Sequence, residues 1–259
     1  MTLRRLLTPR WVAAHVVVVA LATLFVSLGF WQLNRLEERR LENAVGESRF
    51  NEEPQDLTSL LEAAGDDAES LEFRRATFNG EFQPSDEVLI RSQVHQAVAG
   101  FHVITPLVGE DGDAVLVNRG WVPLDADRVP VTAAPPPEGT VTITGWVRPP
   151  QHRGALGPTD PEDGRLVTMS RVDIDRIQQQ VPYVLAPVYL SALDGVEGEL
   201  PVPAPEPTFD DEGPHLGYAI QWFSFALIGV VGYFFLLRRA ARRSGHGQPS
   251  EVFDDLESV

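Results

Sequence analysis

The stretch GPHLGYAIQWFSFALIGVVGYFFLLRR, from Gly213 to Arg239, decides the fold of this chain. Between Leu216 and Leu237 it contains no charged side chain. These 22 residues, at a helical rise of about 1.5 Å each, cover the roughly 30 Å hydrocarbon core of a bilayer. The stretch therefore predicts a transmembrane helix.

The outer end of this span carries a histidine in a distinctive position. Pro214 suits the first turn of a helix, so His215 lies at the positive end of the helix dipole. That field favours the neutral imidazole, which is the form that ligates haem iron or another metal. Spacings of three and four predict a ring-lined groove below the imidazole, formed by Tyr218, Trp222, Phe225 and Gly229. The alternative is a set of interfacial anchors with no ligand.

A second apolar run, WVAAHVVVVALATLFVSLGFWQL, extends from Trp11 to Leu33. A cleaved signal peptide is the alternative, but the run is longer than a usual signal core and no A-x-A site follows it. We therefore favour a retained anchor. His15 lies near its inner end, roughly one bilayer thickness of 30 Å from His215, so the two histidines are not expected to ligate one iron.

The two spans are expected to pack as a hairpin through their small residues. Close approach is predicted where Ser27 and Gly29 face Ser224, Gly229 and Gly232. This packing places Trp31 and Gln32 at about the level of Gln221 and Trp222. Beyond the membrane the first helix should continue as a stalk with ion pairs three residues apart: Arg35–Glu38, Glu37–Arg40 and Arg39–Glu42.

Charge and composition restrict the location and the function. Arginines precede the first span and follow the second, whereas the intervening segment is strongly acidic within a chain of net charge −16. This asymmetry predicts that both termini are cytoplasmic. The acidity argues against nucleic-acid binding. The chain has no cysteine and two methionines, which excludes thiolate metal sites and disfavours a copper(I) site.

The segment between the spans reads as a β-rich domain. Asp56 caps a short helix that Gly65 stops, and Asp173 caps another. About seven short alternating strands predict an antiparallel barrel or sandwich. The expected fold is thus a membrane α+β protein with this organisation: cytoplasmic N-terminus 1–10, transmembrane helix 11–33, extracytoplasmic β-rich domain with a helical stalk 34–213, transmembrane helix 214–237, and a cytoplasmic basic then acidic tail 238–259.

No motif in the sequence specifies catalysis. The chain contains no G-x-S-x-G, P-loop or H-E-x-x-H motif, and its acidic turns lack the spacing of a calcium loop. His95 and His102 could meet between adjacent strands, although two surface histidines are the commoner outcome. Two arginines at strand ends, Arg119 beside Trp121 and Arg148 beside Trp146, are candidates for a carboxylate or haem propionate clamp, or for cation–π contacts alone.

Three motifs together resemble the Surfeit-locus family of cytochrome c oxidase assembly factors. GFWQLNRLEER at Gly29–Arg39 resembles its G-x-W-Q-x-x-R signature, and VNRGWVP at Val117–Pro123 is similar to its R-G-W-V-P motif. PHLGYAIQWFSFA resembles the family pattern H-L-x-Y-A-x-x-W-F at the second span. The resemblance implies a non-enzymatic protein that supports insertion of haem a into the catalytic oxidase subunit. No transit peptide is visible before the first span, which favours a bacterial plasma membrane over a mitochondrial inner membrane.

Carried onto this chain, the resemblance makes His215 the candidate ligand of haem iron. The other positions are Tyr218 and Trp222 at the haem a site, and the motif or partner residues Trp31, Gln32, Arg35, Arg119, Gly120 and Trp121. The expected partners are the oxidase catalytic subunit, haem a synthase and membrane lipid, with haem a held transiently. The alternative is a scaffold that binds no cofactor and stabilises an oxidase intermediate by protein contacts.

Overall fold

A computed structural model describes residues 8–154, 157–193 and 199–243 of the chain. It divides into two compact units, which are described separately. One unit is formed by Met1–Glu42 with Asp211–Val259, and the other by Asn43–Asp210. The predicted acidic tail after Arg243 and most of the predicted cytoplasmic N-terminus lie outside the described residues.

The first unit is a helical hairpin. Helix α1 comprises Pro9–Phe50 and helix α4 comprises His215–Arg243. Both are long and apolar enough to cross a membrane. Only 6% of the most apolar 18-residue stretch of each helix is buried within the protein. A core helix of a soluble protein would bury that surface, whereas these helices expose it along their length. The chain is therefore a membrane protein with two candidate spans.

The hairpin packs through only part of the set of small residues that the sequence predicts: the predicted contact at Gly29 forms, and those at Gly229 and Gly232 do not. The Phe223 ring covers Gly29, where an added Cβ would lie 2.5 Å from the ring. Ala219 and Ala226 are buried on the same side of α4. In contrast, the Cβ positions of Gly229 and Gly232 face open space. The predicted contacts of these two glycines are wrong because alanine, which is also small, occupies the contact face of α4.

Helix α1 continues unbroken beyond the predicted span, as the charge spacing indicates. Two of the three predicted ion pairs form, Arg35–Glu38 and Arg39–Glu42. The third does not, because the guanidinium of Arg40 instead donates two hydrogen bonds to Glu212, at 2.7 and 3.0 Å. This fork-to-fork contact joins α1 to the segment that precedes α4.

The second unit contains eight strands and two short α-helices among its described residues. The predicted cap of α2 is confirmed, since Asp56 accepts a hydrogen bond from the Ser59 N–H at 2.9 Å and the helix ends at Gly65. The elements in chain order are β1 (Gln55–Asp56), α2 (Leu57–Ala64), β2 (Arg75–Phe82), β3 (Val88–His95), β4 (Val98–Val108), β5 (Asp113–Pro123), β6 (Thr140–Arg148), β7 (Thr168–Met169), α3 (Ile174–Gln178) and β8 (Val184–Ala192).

Five of these strands close into a ring in the order β2-β6-β8-β5-β4, and β4 pairs back to β2. Numbered along the chain, the ring has the connectivity 1-2-3-5-4-1 of an OB-fold barrel, with β3 and the β7–α3 segment inserted. The predicted barrel is thus confirmed. Its pairing is not wholly antiparallel, because β5 and β8 run parallel. The long connection between them provides the crossover that a parallel pair requires.

Two apolar cores lie on opposite faces of the barrel wall. The interior core draws on all five ring strands and on α2, with Leu57, Leu107, Val117, Val147 and Leu190 among its members. Alternate residues of the same strands face outward because successive side chains of a strand point to opposite faces. On that outer face, Ile104, Leu116 and Tyr189 pack under β7 and α3. This part of the outer face is therefore covered rather than exposed.

Candidate functional site

The site in the helical hairpin is formed where α4 begins. The Pro214 carbonyl accepts the first helical hydrogen bond, from the Tyr218 N–H at 3.1 Å. His215 is the first residue of α4, as the sequence predicts. Its Nδ1 lies 2.9 Å from Oε1 of Gln32 on α1. Two residues separated by 183 positions in the chain thus meet through their side chains.

This contact determines which imidazole nitrogen is open to a ligand. An amide oxygen only accepts hydrogen bonds, so Nδ1 of His215 carries the proton and donates it to Gln32. In the neutral imidazole with this tautomer, the Nε2 atom holds the lone pair. Histidines that ligate a metal usually have this arrangement, in which a hydrogen bond at the other nitrogen fixes the tautomer and the ring orientation. The pair fits an axial ligand of haem iron, which needs one such nitrogen.

A multidentate metal site is not found near this pair. Among the described residues, no group of three or more histidine, cysteine, aspartate or glutamate side chains could hold a metal ion. A structural zinc site needs about four such ligands. A macrocycle that brings four nitrogens of its own needs only an axial ligand, so a single histidine is compatible with haem.

The two aromatic residues of the predicted haem site differ in their surroundings. Trp222 stacks on Phe25 of α1, with ring centroids 5.6 Å apart and an interplanar angle of 27°. Phe225 meets both rings, at 5.9 and 6.0 Å. Tyr218, by contrast, is 47% exposed. The predicted groove is thus partly filled by Phe25, because Trp222 and Phe225 face α1 while Tyr218 points away from that contact.

The register of the hairpin also differs from the prediction. Gln32 meets His215, two helical turns before Trp222, whereas the prediction places Gln32 at about the level of Gln221 and Trp222. Trp31 is 54% exposed. Arg35 is exposed and pairs with Glu38 on its own helix. Of the motif residues on α1, only Gln32 therefore touches the candidate ligand.

His15 lies at the other end of the hairpin, where its Nδ1 is 2.6 Å from the Tyr233 hydroxyl. His15 and Gln32 are 17 positions apart in the sequence, which corresponds to about 26 Å along α1. The two histidines thus lie at opposite ends of the hairpin, as the sequence predicts.

The R-G-W motif residues lie in the β domain, where the guanidinium of Arg119 is bound by other residues of the chain. Its Nη1 is 2.9 Å from Oε1 of Glu87, and its Nη2 donates to the Ala134 carbonyl at 2.6 Å. Glu87 also accepts from the Thr105 hydroxyl and from the Val131 N–H. Glu87 is fully buried, and the Arg119 side chain is 7% exposed. The predicted carboxylate clamp at Arg119 thus holds a carboxylate of the chain itself.

Gly120 and Trp121 bind a neighbouring segment through their backbone. Trp121 exchanges two main-chain hydrogen bonds with Val202, at 2.7 and 2.8 Å. Gly120 has a φ of +125°, and an added Cβ would lie 2.2 Å from the Val202 carbonyl oxygen. Glycine is required here both for the backbone conformation and for the close approach. The three motif residues of β5 thus bind neighbouring segments of the β domain, Arg119 through its side chain and the other two through their backbone.

The two histidines of the β domain do not form a joint site. His95 packs on the Trp121 ring at 5.4 Å, and it pairs with Val98 in the strand register. His102 pairs instead with Ile90, and its Nδ1 lies 3.3 Å from the Asn118 amide nitrogen. The interpretation of His95 and His102 as a pair is therefore wrong, since they are displaced along the hairpin of β3 and β4.

His102 should make the stability of the β domain sensitive to acid. Burial, with a smaller effect of Arg148, lowers the pKa of His102 from 6.5 to about 4. Between these values the unfolded chain binds a proton that the folded chain does not, so stability falls as pH falls through this window. Between pH 6.5 and 4, the melting temperature of His102→Asn should fall less than that of the wild type. His152 is exposed, so the melting temperature of His152→Asn should fall as much as that of the wild type. The same dependence of melting temperature on pH in all three proteins would show that His102 is not the source of the acid sensitivity.

The geometry defines a class of protein: a two-span membrane protein whose hairpin presents one oriented histidine and whose β barrel contains no recognised catalytic motif. Comparison with known families is consistent with this class, since the model of the SURF1 family matches residues 19–227. The chain belongs to the SURF1 family, which is a family of cytochrome c oxidase assembly factors.

Individual relatives cover nearly the whole chain. An uncharacterised SURF1-like protein of Mycobacterium tuberculosis is 34% identical over 254 residues, covering 94% of this chain and 90% of the relative. A SURF1-like protein of Monosiga brevicollis is 28% identical over 235 residues, covering 86% and 87%. One from Rickettsia felis is 25% identical over 224 residues, covering 85% and 94%.

Proposed function

We propose that this protein assists the delivery of haem a to the catalytic subunit of cytochrome c oxidase and acts as a carrier, not as an enzyme. The observation that supports this role best is the contact between His215 and Gln32, which orients the imidazole and leaves Nε2 as the ligating atom. In this proposal His215 binds the iron, and Tyr218 and Trp222 provide apolar surface for the macrocycle.

A single protein ligand suits a carrier. Release then requires that only one strong bond be broken, and a histidine of the accepting subunit can take its place. Gln32 would act as a positioning residue, because it touches the imidazole rather than the iron. Its loss should weaken ligation without abolishing it, since partners of this kind typically change metal affinity by about 10- to 100-fold.

The proposed location is a bacterial cell membrane, with both termini in the cytoplasm and the β domain outside. The supporting observation is the arginine distribution: Arg4, Arg5 and Arg10 precede α1's apolar part, and a further group lies at the end of α4. The proposed partners are the oxidase catalytic subunit and haem a synthase. Their recognition surfaces are expected on this outer side.

The test is purification in detergent from cells that make haem a, followed by reduced-minus-oxidised spectra and pyridine haemochrome analysis. We expect haem a in the wild type, at least a tenfold lower content in His215→Ala, and an intermediate content in Gln32→Leu. His15→Ala is the matched control, because this histidine lies at the opposite end of the hairpin. A His215→Ala protein with unchanged haem content and spectrum would contradict the assignment.

The same preparation distinguishes the scaffold alternative. A scaffold would carry no haem in any variant, and the oxidase subunits would still co-purify with it. Under that alternative His215 would be dispensable for assembly, while changes in the β domain would impair it.

A further inference from the structure

A cavity of about 230 Å³ lies within the β domain, against the outer face of the barrel wall. Its floor comes from four ring strands through residues such as His102, Asn118, Arg148 and Tyr189. Its cover comes from Gln151 and Val172 and from the segment that contains Ala204 and Pro205. The site is thus a built pocket, in which distant parts of the chain meet over a rigid sheet.

Two nitrogen donors of this pocket lack partners. Trp146 and Arg148 lie two residues apart on β6, so they share one face of the strand. The indole Nε1 of Trp146 and the Nε of Arg148 are buried, and neither has a hydrogen-bond partner within the described part of the chain. Trp146 as a whole is 1% exposed. Because a buried donor without a partner is costly, this pair indicates a ligand that accepts hydrogen bonds.

The charge of the pocket indicates the kind of acceptor. No aspartate or glutamate is among its described lining residues, although the chain has 37 acidic residues against 21 arginines. None of the ion pairs found in residues 8–154, 157–193 and 199–243 involves Arg148. His102 accepts at Nδ1 from Asn118, as a neutral imidazole does. The lining therefore carries one positive charge, which matches a monoanion better than a phosphate dianion.

The remaining lining residues are apolar, which indicates that the ligand has a short apolar part. Ile90, Ile104, Val172 and Pro205 contribute aliphatic surface beside the polar groups. The volume is below the roughly 300–1,000 Å³ of sites for drug-sized molecules. A small molecule with one carboxylate and a few carbon atoms is consistent with both the size and the lining.

We propose that this pocket binds a small monocarboxylate, whose oxygens accept hydrogen bonds from the Arg148 guanidinium and the Trp146 indole. Planar guanidinium groups suit carboxylates in particular, because their N–H groups match the two oxygens. The proposal concerns the β domain alone and is independent of haem delivery. The sequence predicts a carboxylate clamp at Arg119 or Arg148. The proposal assigns this clamp to Arg148, because Arg119 already pairs with Glu87.

The experiment titrates the purified full-length protein in detergent at pH 7 and constant ionic strength. The probes are butanoate, its uncharged isostere butanamide, and inorganic phosphate, and binding is measured by saturation-transfer NMR and by calorimetry. We expect saturable binding of butanoate, no binding of butanamide, and weaker binding of phosphate. Butanoate should bind at least tenfold more weakly to Arg148→Gln, because charge-assisted hydrogen bonds are about twice as strong as neutral ones.

Two further variants make the result specific. Trp146→Phe removes the indole N–H and keeps an aromatic ring, so it should also weaken butanoate binding. Arg128→Gln alters an exposed arginine outside the pocket and should bind as the wild type does. Circular dichroism checks that each variant is folded. Equal affinity in the wild type and Arg148→Gln, or no saturable butanoate binding by the wild type, would overturn the proposal; tighter binding of phosphate would overturn the monocarboxylate assignment.

Discussion

Arg119→Ala is expected to lower the free energy of unfolding of the β domain by about 3–5 kcal/mol, the usual cost of breaking a buried ion pair from one side. The variant leaves Glu87 fully buried without its cation. It also removes the donor of the Ala134 carbonyl. Urea unfolding of the full-length protein in detergent, followed by tryptophan fluorescence, measures the effect.

The control for this prediction is another arginine–glutamate ion pair, which is partly exposed at the surface. Arg74 is 30% exposed and its partner Glu52 is 40% exposed. Because water screens such a pair, Arg74→Ala should cost about 0–1 kcal/mol. A double variant, Arg119→Met with Glu87→Gln, should cost less than the sum of its single changes, since no unpaired charge stays buried. Equal losses in Arg119→Ala and Arg74→Ala would contradict the structural role of Arg119.

The elements of the fold that sequence reasoning predicts are those with local signals. Asp56, Asp173 and Gly65 mark helix ends because caps act within a few residues. The alternation of Val141, Ile143 and Val147 predicts their common inward face on β6. The closure of β4 onto β2 involves only two paired positions on each strand. Such a non-local contact leaves no periodic signal in either segment.

The candidate site shows the same division between local and non-local information. The position of His215 at the start of α4 follows from the adjacent Pro214, which acts within one turn. Its contact with Gln32 depends on the register between two helices, and small residues alone do not determine that register. Ala219 and Ala226 lie on the packed face of α4, whereas the sequence pattern predicts Gly229 and Gly232 there. Gln32 is therefore recognised as a motif residue from the sequence, but its role follows only from the structure.

The R-G-W motif illustrates how a family signature can be structural. From the sequence, Arg119, Gly120 and Trp121 are motif or partner residues whose individual roles the resemblance does not give, and Arg119 is one of two candidates for a carboxylate clamp. In the structure, Arg119 neutralises Glu87 and Trp121 pairs with Val202. Arg148, which lies outside the signature, lines the cavity on the outer face of the barrel without an ion-pair partner among the described residues, whereas Arg119 lines a different cavity and is held by Glu87. The difference arises from the partners of each arginine, which are remote in sequence.

Gly120→Ala is expected to destabilise the β domain far more than the same change at Gly112. Both glycines have positive φ, +125° and +86°, so alanine is strained at either position. An added Cβ meets nothing within 4 Å at Gly112, whereas at Gly120 it would lie 2.2 Å from the Val202 carbonyl oxygen. We expect a loss of about 1–2 kcal/mol at Gly112 from backbone strain alone.

At Gly120 the backbone of Val202 must move, so the two hydrogen bonds between Trp121 and Val202 should break. Their loss adds about 1–3 kcal/mol to the strain, at roughly 0.5–1.5 kcal/mol each. Urea unfolding measures the totals, and hydrogen exchange at the amides of residues 121 and 202 reports whether this pairing is lost. Equal destabilisation by the two variants, with unchanged protection at both amides, would show that the close contact with Val202 does not hold this segment against β5.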